Sequence, residues 1–120
     1  MVKLVTAPTV VAGAGVPPVE IEEYAGRISS GHGNVSVARL VSQEGWSEPR
    51  QKPDFAEISL VLKGMLRVES EGGVVDARSG QAVVTSPGEW VRYSTPEAGG
   101  AEYIAVCVPA FSLEMAHRDE

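Results

Sequence analysis

The stretch Gly45 to Gly64, GWSEPRQKPDFAEISLVLKG, decides how the chain is read. Its second half has the period of a strand, with Glu57, Ser59, Val61 and Lys63 on one face and Ile58, Leu60 and Leu62 on the other. In its first half Glu48, Arg50 and Lys52 fall at every second position, between Trp46 and Pro53. The residues alone leave two orientations open. In the plainer one the aliphatic face is core and Glu57 meets water. In the other, Glu57 points into an interior and the aliphatic face is covered by another surface.

Working outward, short runs rich in valine, isoleucine and leucine recur at Val35 to Val41, Glu57 to Leu62, Met65 to Glu69, Val74 to Ala77, Ala82 to Thr85, Trp90 to Ser94 and Glu102 to Val108. Gly72-Gly73, Gly80, Pro87-Gly88 and Gly99-Gly100 separate them as chain reversals. Strands of this length, with no amphipathic helical window between them, predict an all-β sandwich or double-sheet jelly roll. Val2 to Pro18, with Pro8, Pro17 and Pro18, reads as an extended arm able to pair at a sheet edge. Phe111 to Glu120 reads as a short helix or loop on the surface.

At 120 residues, 43% hydrophobic and 22% charged, the chain is the size and composition of one globular domain. The net charge of −6 and the lack of a basic run argue against a nucleic-acid surface. Cys107 is the sole cysteine, which leaves no internal disulfide and fits a reducing cytoplasm. Thr6, Pro8 and Thr9 interrupt the apolar start, and only Lys3 is basic there, so no cleaved signal is expected. No apolar run approaches the ~20 residues needed to cross a bilayer, so the protein is expected to be soluble and off the membrane. Gly13 and Gly15 lack the further glycine and lysine of a phosphate loop. His32 and His117 read as solvated, and the serines near His32 carry no nucleophile elbow.

Gly45, Glu57 and Gly64, followed by Gly80 and the Pro87-Gly88 turn, match the spacing of the two cupin motifs, and the chain resembles that superfamily from about Val35 to Phe111. The ending STPEAGGAEYIAVCVPAF is also similar to the EutQ-type branch. The resemblance implies a single-domain double-stranded β-helix over 1–120, with an arm at 1–18, a barrel core at 35–111 and a tail at 112–120. It also implies that the Glu57 position points into the barrel. The family's three metal-binding histidine positions fall on Arg50, Lys52 and Val91. Guanidinium and ammonium offer no lone pair to a metal, and a lone carboxylate holds a transition metal poorly, so no metal and no other cofactor is expected.

On that mapping Glu48, Arg50 and Lys52 line the cavity beside Glu57 and Ser59, while Val91, Tyr93 and Thr95 enter from the second motif. Trp46 and Trp90 flank the motifs as pocket floor or as plain core. Glu57 is then an acid or base for a bound molecule, Tyr93 a further hydrogen-bond donor, and Arg50 and Lys52 a grip for an anion, unless Glu57 and Arg50 form a static ion pair. Three functions follow: a metal-independent isomerase, cyclase or lyase acting on a small anionic or aromatic molecule; a non-catalytic binder of such a ligand; or a EutQ-like role in ethanolamine and acetate metabolism. The aliphatic face Ile58, Leu60 and Leu62 needs cover, which a homodimer with exchanged arms would supply. In a monomer the arm would fold back on its own sheet.

Overall fold

The computed structural model describes residues 2–119, so Met1 and Glu120, the outer ends of the expected arm and tail, lie outside the described residues. Nine strands run in order: β1 (Thr9–Ala12), β2 (Glu20–Ala25), β3 (Ser36–Ser42), β4 (Trp46–Ser47), β5 (Ala56–Ser70), β6 (Gly73–Arg78), β7 (Ala82–Thr85), β8 (Val91–Thr95) and β9 (Ala101–Val108). One short helix, α1 (Leu113–Ala116), follows. All pairings are antiparallel, in the order β1-β2-β3-β9-β5-β8-β4, with β6 and β7 also on β5. The expected all-β jelly-roll barrel is the fold observed. Among the described residues no helix is long and apolar enough to cross a membrane.

β5 belongs to two sheets. Ala56 to Gly64 pairs with β9 and β7, whereas Met65 to Ser70 pairs with β6 and β8. The two sequence runs Glu57 to Leu62 and Met65 to Glu69 are one strand, which continues through Gly64 with a register shift between Val61 and Lys63. Gly64 has φ 78°, and a Cβ there would run into the backbone carbonyl of Gly100. A Cβ on Gly100 would in turn meet the carbonyl of Ser42. Only glycine allows these backbones to stack so closely. The same irregularity ends the alternation read from the sequence: Glu57, Ser59 and Val61 turn inward, but Lys63 turns out, 4.0 Å from Glu102.

The core forms between the sheets, around Trp46, Val61, Leu66, Val68, Val91, Tyr93 and Tyr103. The opposite face of β5 stays exposed, with Ile58, Leu60 and Leu62 at 41%, 42% and 40%. The plainer orientation, with the aliphatic face as core, is thereby reversed. β1 pairs with β2 of its own chain, which puts the arm on its own sheet edge. β2 was missed because EIEEYA carries three glutamates and a bulge between Glu23 and Ala25, which hide its period.

The tail is not simply laid on the surface. Ser112 caps α1, Ala116 is fully buried, and Phe111 packs edge-on to Phe55 at 5.8 Å. Backbone bonds from Asp54 to Met115 (2.9 Å), Lys52 to His117 (3.2 Å) and Asp119 to Arg50 (2.7 Å) hold it against residues 50–54.

The corner at Gly64 gives a direct test. Gly64→Ala should cost roughly 2–3 kcal/mol or more, read as a lower urea midpoint, since the substitution combines a strained φ with a backbone collision. An unchanged midpoint would show that the three backbones can part without loss.

Candidate functional site

A cavity of about 60 Å³ opens between the sheets. β5 supplies Glu57, β8 Tyr93, and β9 Tyr103, Ala105 and Cys107, all on the inward-facing side of their strands. β4 and the segment after it supply Trp46, Glu48 and Gln51. The arm contributes Gly13 and Ala14, with the Trp46 indole N–H donating to the Ala14 carbonyl at 3.0 Å. The tail contributes Phe111 and Arg118, whose Nε donates to Gln51 Oε1 at 3.3 Å.

The polar groups inside are mostly carboxyls. Glu57 Oε2 accepts from the Ser59 hydroxyl at 3.1 Å, and its Oε1 lies 3.7 Å from Cys107 Sγ. Burial raises the pKa of Glu57, opposed by those hydrogen bonds, by the charge of Arg118 and by Tyr93. Glu48 is 8% exposed, and its Oε1 is buried without a hydrogen-bond partner. Its pKa is pushed up to about 8, first by burial and then by the charge of Glu57, with Arg118 pulling it back. Burial also raises the pKa of the Tyr93 and Tyr103 hydroxyls and of the Cys107 thiol. Glu23 is the committed carboxyl of the set, accepting from the Ile28 and Ser29 N–H groups at 3.2 and 2.8 Å.

Arg50 and Lys52 are exposed and do not line the cavity, contrary to the expectation from alternation. The physical reason is the break around Pro49. Glu48 is buried, the next buried residue is Gln51, and from there the odd positions Gln51, Pro53 and Phe55 turn in while Arg50, Lys52 and Asp54 turn out. Residues 48–55 are not a continuous strand, so a single period does not carry across them. The Arg50 guanidinium sits 4.1 Å over the Trp90 ring, outside the cavity, which excludes a static Glu57–Arg50 pair. Trp90 is therefore not a pocket wall. Val91 is core, bridged to Gln51, and Thr95 is buried with its hydroxyl donating to the Gln43 carbonyl at 2.6 Å.

Gln51, Tyr103, Cys107 and Arg118 escaped the sequence reading. Tyr103 and Cys107 carry a usable signal, because they share a phase in AEYIAVCV. Arg118 carries none, since the docking of the tail is a tertiary event.

The donors here do not fit a metal. Arg50 and Lys52 point away, Val91 has no donor, and among the described residues no group of three or more His, Cys, Asp or Glu side chains is placed to hold one. His32 Nδ1 meets Ser30 Oγ, and His117 Nε2 meets Asp54 Oδ2, each at 2.6 Å and away from the cavity.

A family model described as AraC-like ligand binding domain matches residues 34–120. Endoribonuclease YbeY of Myxococcus xanthus is 37% identical over 99 residues, 82% of this chain but 34% of that protein, so the chain spans about a third of the length of this curated relative. Among solved structures, an RmlC-like cupin from Shewanella frigidimarina superposes with TM-score 0.70 at 14% identity, over 90% of this chain and 89% of that one. A putative ethanolamine utilization protein Q from Salmonella typhimurium gives 0.68 at 17% identity, over 87% and 97%. The likeness to these two structures is one of fold.

The raised pKa of Glu48 predicts how stability follows pH. Because the folded state holds this proton more tightly than the unfolded chain, its contribution is fully present below about pH 4.5 and is lost as pH rises through about 8. The interval bounds the loss at roughly 5 kcal/mol. Glu48→Gln should therefore make unfolding free energy fall less than in the native chain between about pH 5 and about pH 9, measured by denaturant titration. Parallel pH profiles would show that Glu48 ionises freely where it sits.

Proposed function

The chain belongs to the AraC-like ligand binding domain family, and from that premise we propose that its cupin barrel takes a small organic molecule into the cavity and exchanges a proton with it through Glu57, without a metal. The observation that carries this reading is a carboxyl pair, buried Glu48 and half-buried Glu57, facing a cavity walled by Trp46, Tyr93 and Tyr103. A carboxyl whose pKa burial raises holds its proton more tightly than a free one, and such a group is suited to give and take a proton in an isomerase or lyase step. Tyr93, whose hydroxyl lies 3.3 Å from that of Thr85, is the neighbouring donor, and Ser59 fixes the Glu57 carboxyl from behind. The volume favours a ligand of a few heavy atoms over a fused aromatic one.

The family description supports a second reading, a domain that binds its ligand and leaves it unchanged. The fold shared with the ethanolamine utilization protein supports the architecture and carries no activity across. The relative named as an endoribonuclease is matched over a third of its length, and a net charge of −6 gives no support to an RNA surface here. A reducing cytoplasm suits the buried free Cys107.

Proton exchange is read most directly with small metabolites in D2O. Incubated with a cell extract, the protein should wash deuterium into one species detected by mass spectrometry, and should do so equally after chelator treatment. Glu57→Gln should slow that exchange by about a hundredfold or more while the species still binds. Equal exchange in the variant would remove Glu57 from the chemistry, loss on chelation would restore a metal, and binding without exchange would favour the second reading.

The exposed face of Ile58, Leu60, Leu62, Val84 and Val108 supports a homodimer. With the arm on its own sheet, the two copies would meet through this face with arms unexchanged. Light scattering should give twice the monomer mass, and Leu60→Lys should return it to one.

A further inference from the structure

The cavity's polar balance is the reverse of an anion site. Of its lining residues Glu48 and Glu57 are carboxyls with capacity to spare, while the one cation, Arg118, is engaged through Nε with Gln51. Glu23 is tied down through Oε2 by two backbone N–H groups. What is left over is specific: Glu48 is 8% exposed, and its Oε1 is an acceptor with no donor facing it. A buried acceptor without a partner is costly to keep, and a ligand bringing a donor removes that cost. Around it stand Trp46, Tyr93 and Tyr103, whose rings favour positive charge over neutral or negative charge. The cations that would have reversed this preference, Arg50 and Lys52, lie outside.

We propose that the ligand of this cavity is a small organic ammonium ion, with its N–H groups on Glu48 Oε1 and the Glu57 carboxyl and its short carbon chain against Val19, Leu40 and Ala105. The inference rests on the reading that the cavity is the ligand site, and adds the charge and size of what enters. An interior of about 60 Å³ exceeds what a single water needs and falls well short of a drug-sized pocket, which suits a chain of a few heavy atoms. An ammonium ion takes the place of the proton that burial holds on Glu48, whereas an alcohol brings no charge to displace it and a carboxylate adds negative charge beside the Glu48–Glu57 pair.

The test compares probes with one carbon skeleton: n-propylammonium, 1-propanol and propionate, titrated into the intact protein and followed by the indole resonance of Trp46 in a nitrogen-correlated spectrum. n-Propylammonium should shift that resonance and bind about tenfold or more tightly than either of the others, an advantage expected of a charge-assisted contact. Glu48→Gln should erase most of that advantage while leaving 1-propanol unchanged, but the ranking on the native protein stands without any variant. If 1-propanol or propionate shifts Trp46 at lower concentration than the amine, the ammonium assignment is overturned and the cavity remains the ligand site. If none of the three moves the Trp46 resonance, the cavity is not a site for such ligands and both readings fall.

Discussion

Three backbones cross at one corner of the barrel with no room for a side chain between them: Gly64 on β5, Gly100 before β9, and Ser42-Gln43 at the end of β3. The Met65 N–H donates to the Gly100 carbonyl at 3.3 Å, and the Thr95 hydroxyl donates to the Gln43 carbonyl at 2.6 Å, so the corner is also tied to β8. Because β5 turns here rather than stopping, one strand is shared by both sheets, and its two halves are held in register by β9 and β7 on one side and β6 and β8 on the other. The inward phase of Glu57, Ser59 and Val61 depends on this arrangement, as does the position of Tyr93 across the cavity. Bending a long strand at a glycine is how an antiparallel sheet curls so that one strand serves both sheets.

Enclosing the cavity sets its electrostatics. Three carboxyls, Glu23, Glu48 and Glu57, share the lining with one guanidinium, and most of the remaining wall is aromatic or aliphatic. Desolvation is the first cause of the raised pKa of both Glu48 and Glu57, ahead of any charge or hydrogen bond. A fold selected for stability alone would replace such a pair with apolar residues of similar size. Retaining them, one with an oxygen lacking any donor, places a stability cost where a bound molecule can offset it.

Much of the barrel was legible because its signals are local. Ala82–Thr85 coincides with the strand read from the sequence, and the runs around Val35, Val74, Trp90 and Glu102 shift by only one or two residues at their ends. Gly64 was legible as a landmark, but the two runs on either side of it are a single strand, since a positive φ serves a bend within a strand as well as a turn. In the site, Glu57, Glu48, Trp46 and Tyr93 lie on the cavity, whereas Arg50 and Lys52 do not. The spacing that matched them to the family's histidines was a count along the chain, and Pro49 interrupts the strand that would have made the count a geometry. Arg118 was invisible for the opposite reason: nothing near it in sequence shows that the tail returns to the barrel.

That return links the tail to the charge of the cavity. The peptide groups of Arg50, Lys52 and Asp54 bond the tail, and Gln51 between them bridges Arg118 to Val91 on β8. Residues 50 and 52, the positions where the family resemblance expects histidine, therefore act here through their backbone, as the rail on which the last residues are mounted. What the tail brings is Arg118, the one cation among the described lining residues, whose charge bears on both Glu48 and Glu57. The ionisation of the cavity thus depends on whether the tail is seated. A ligand with its own positive charge would replace part of what Arg118 supplies, and a ligand with negative charge would have to compete with two glutamates for it. The charge missing from the inner face of the barrel is in this way delivered from the end of the chain, by a segment held through backbone hydrogen bonds that do not depend on the identity of residues 50 and 52.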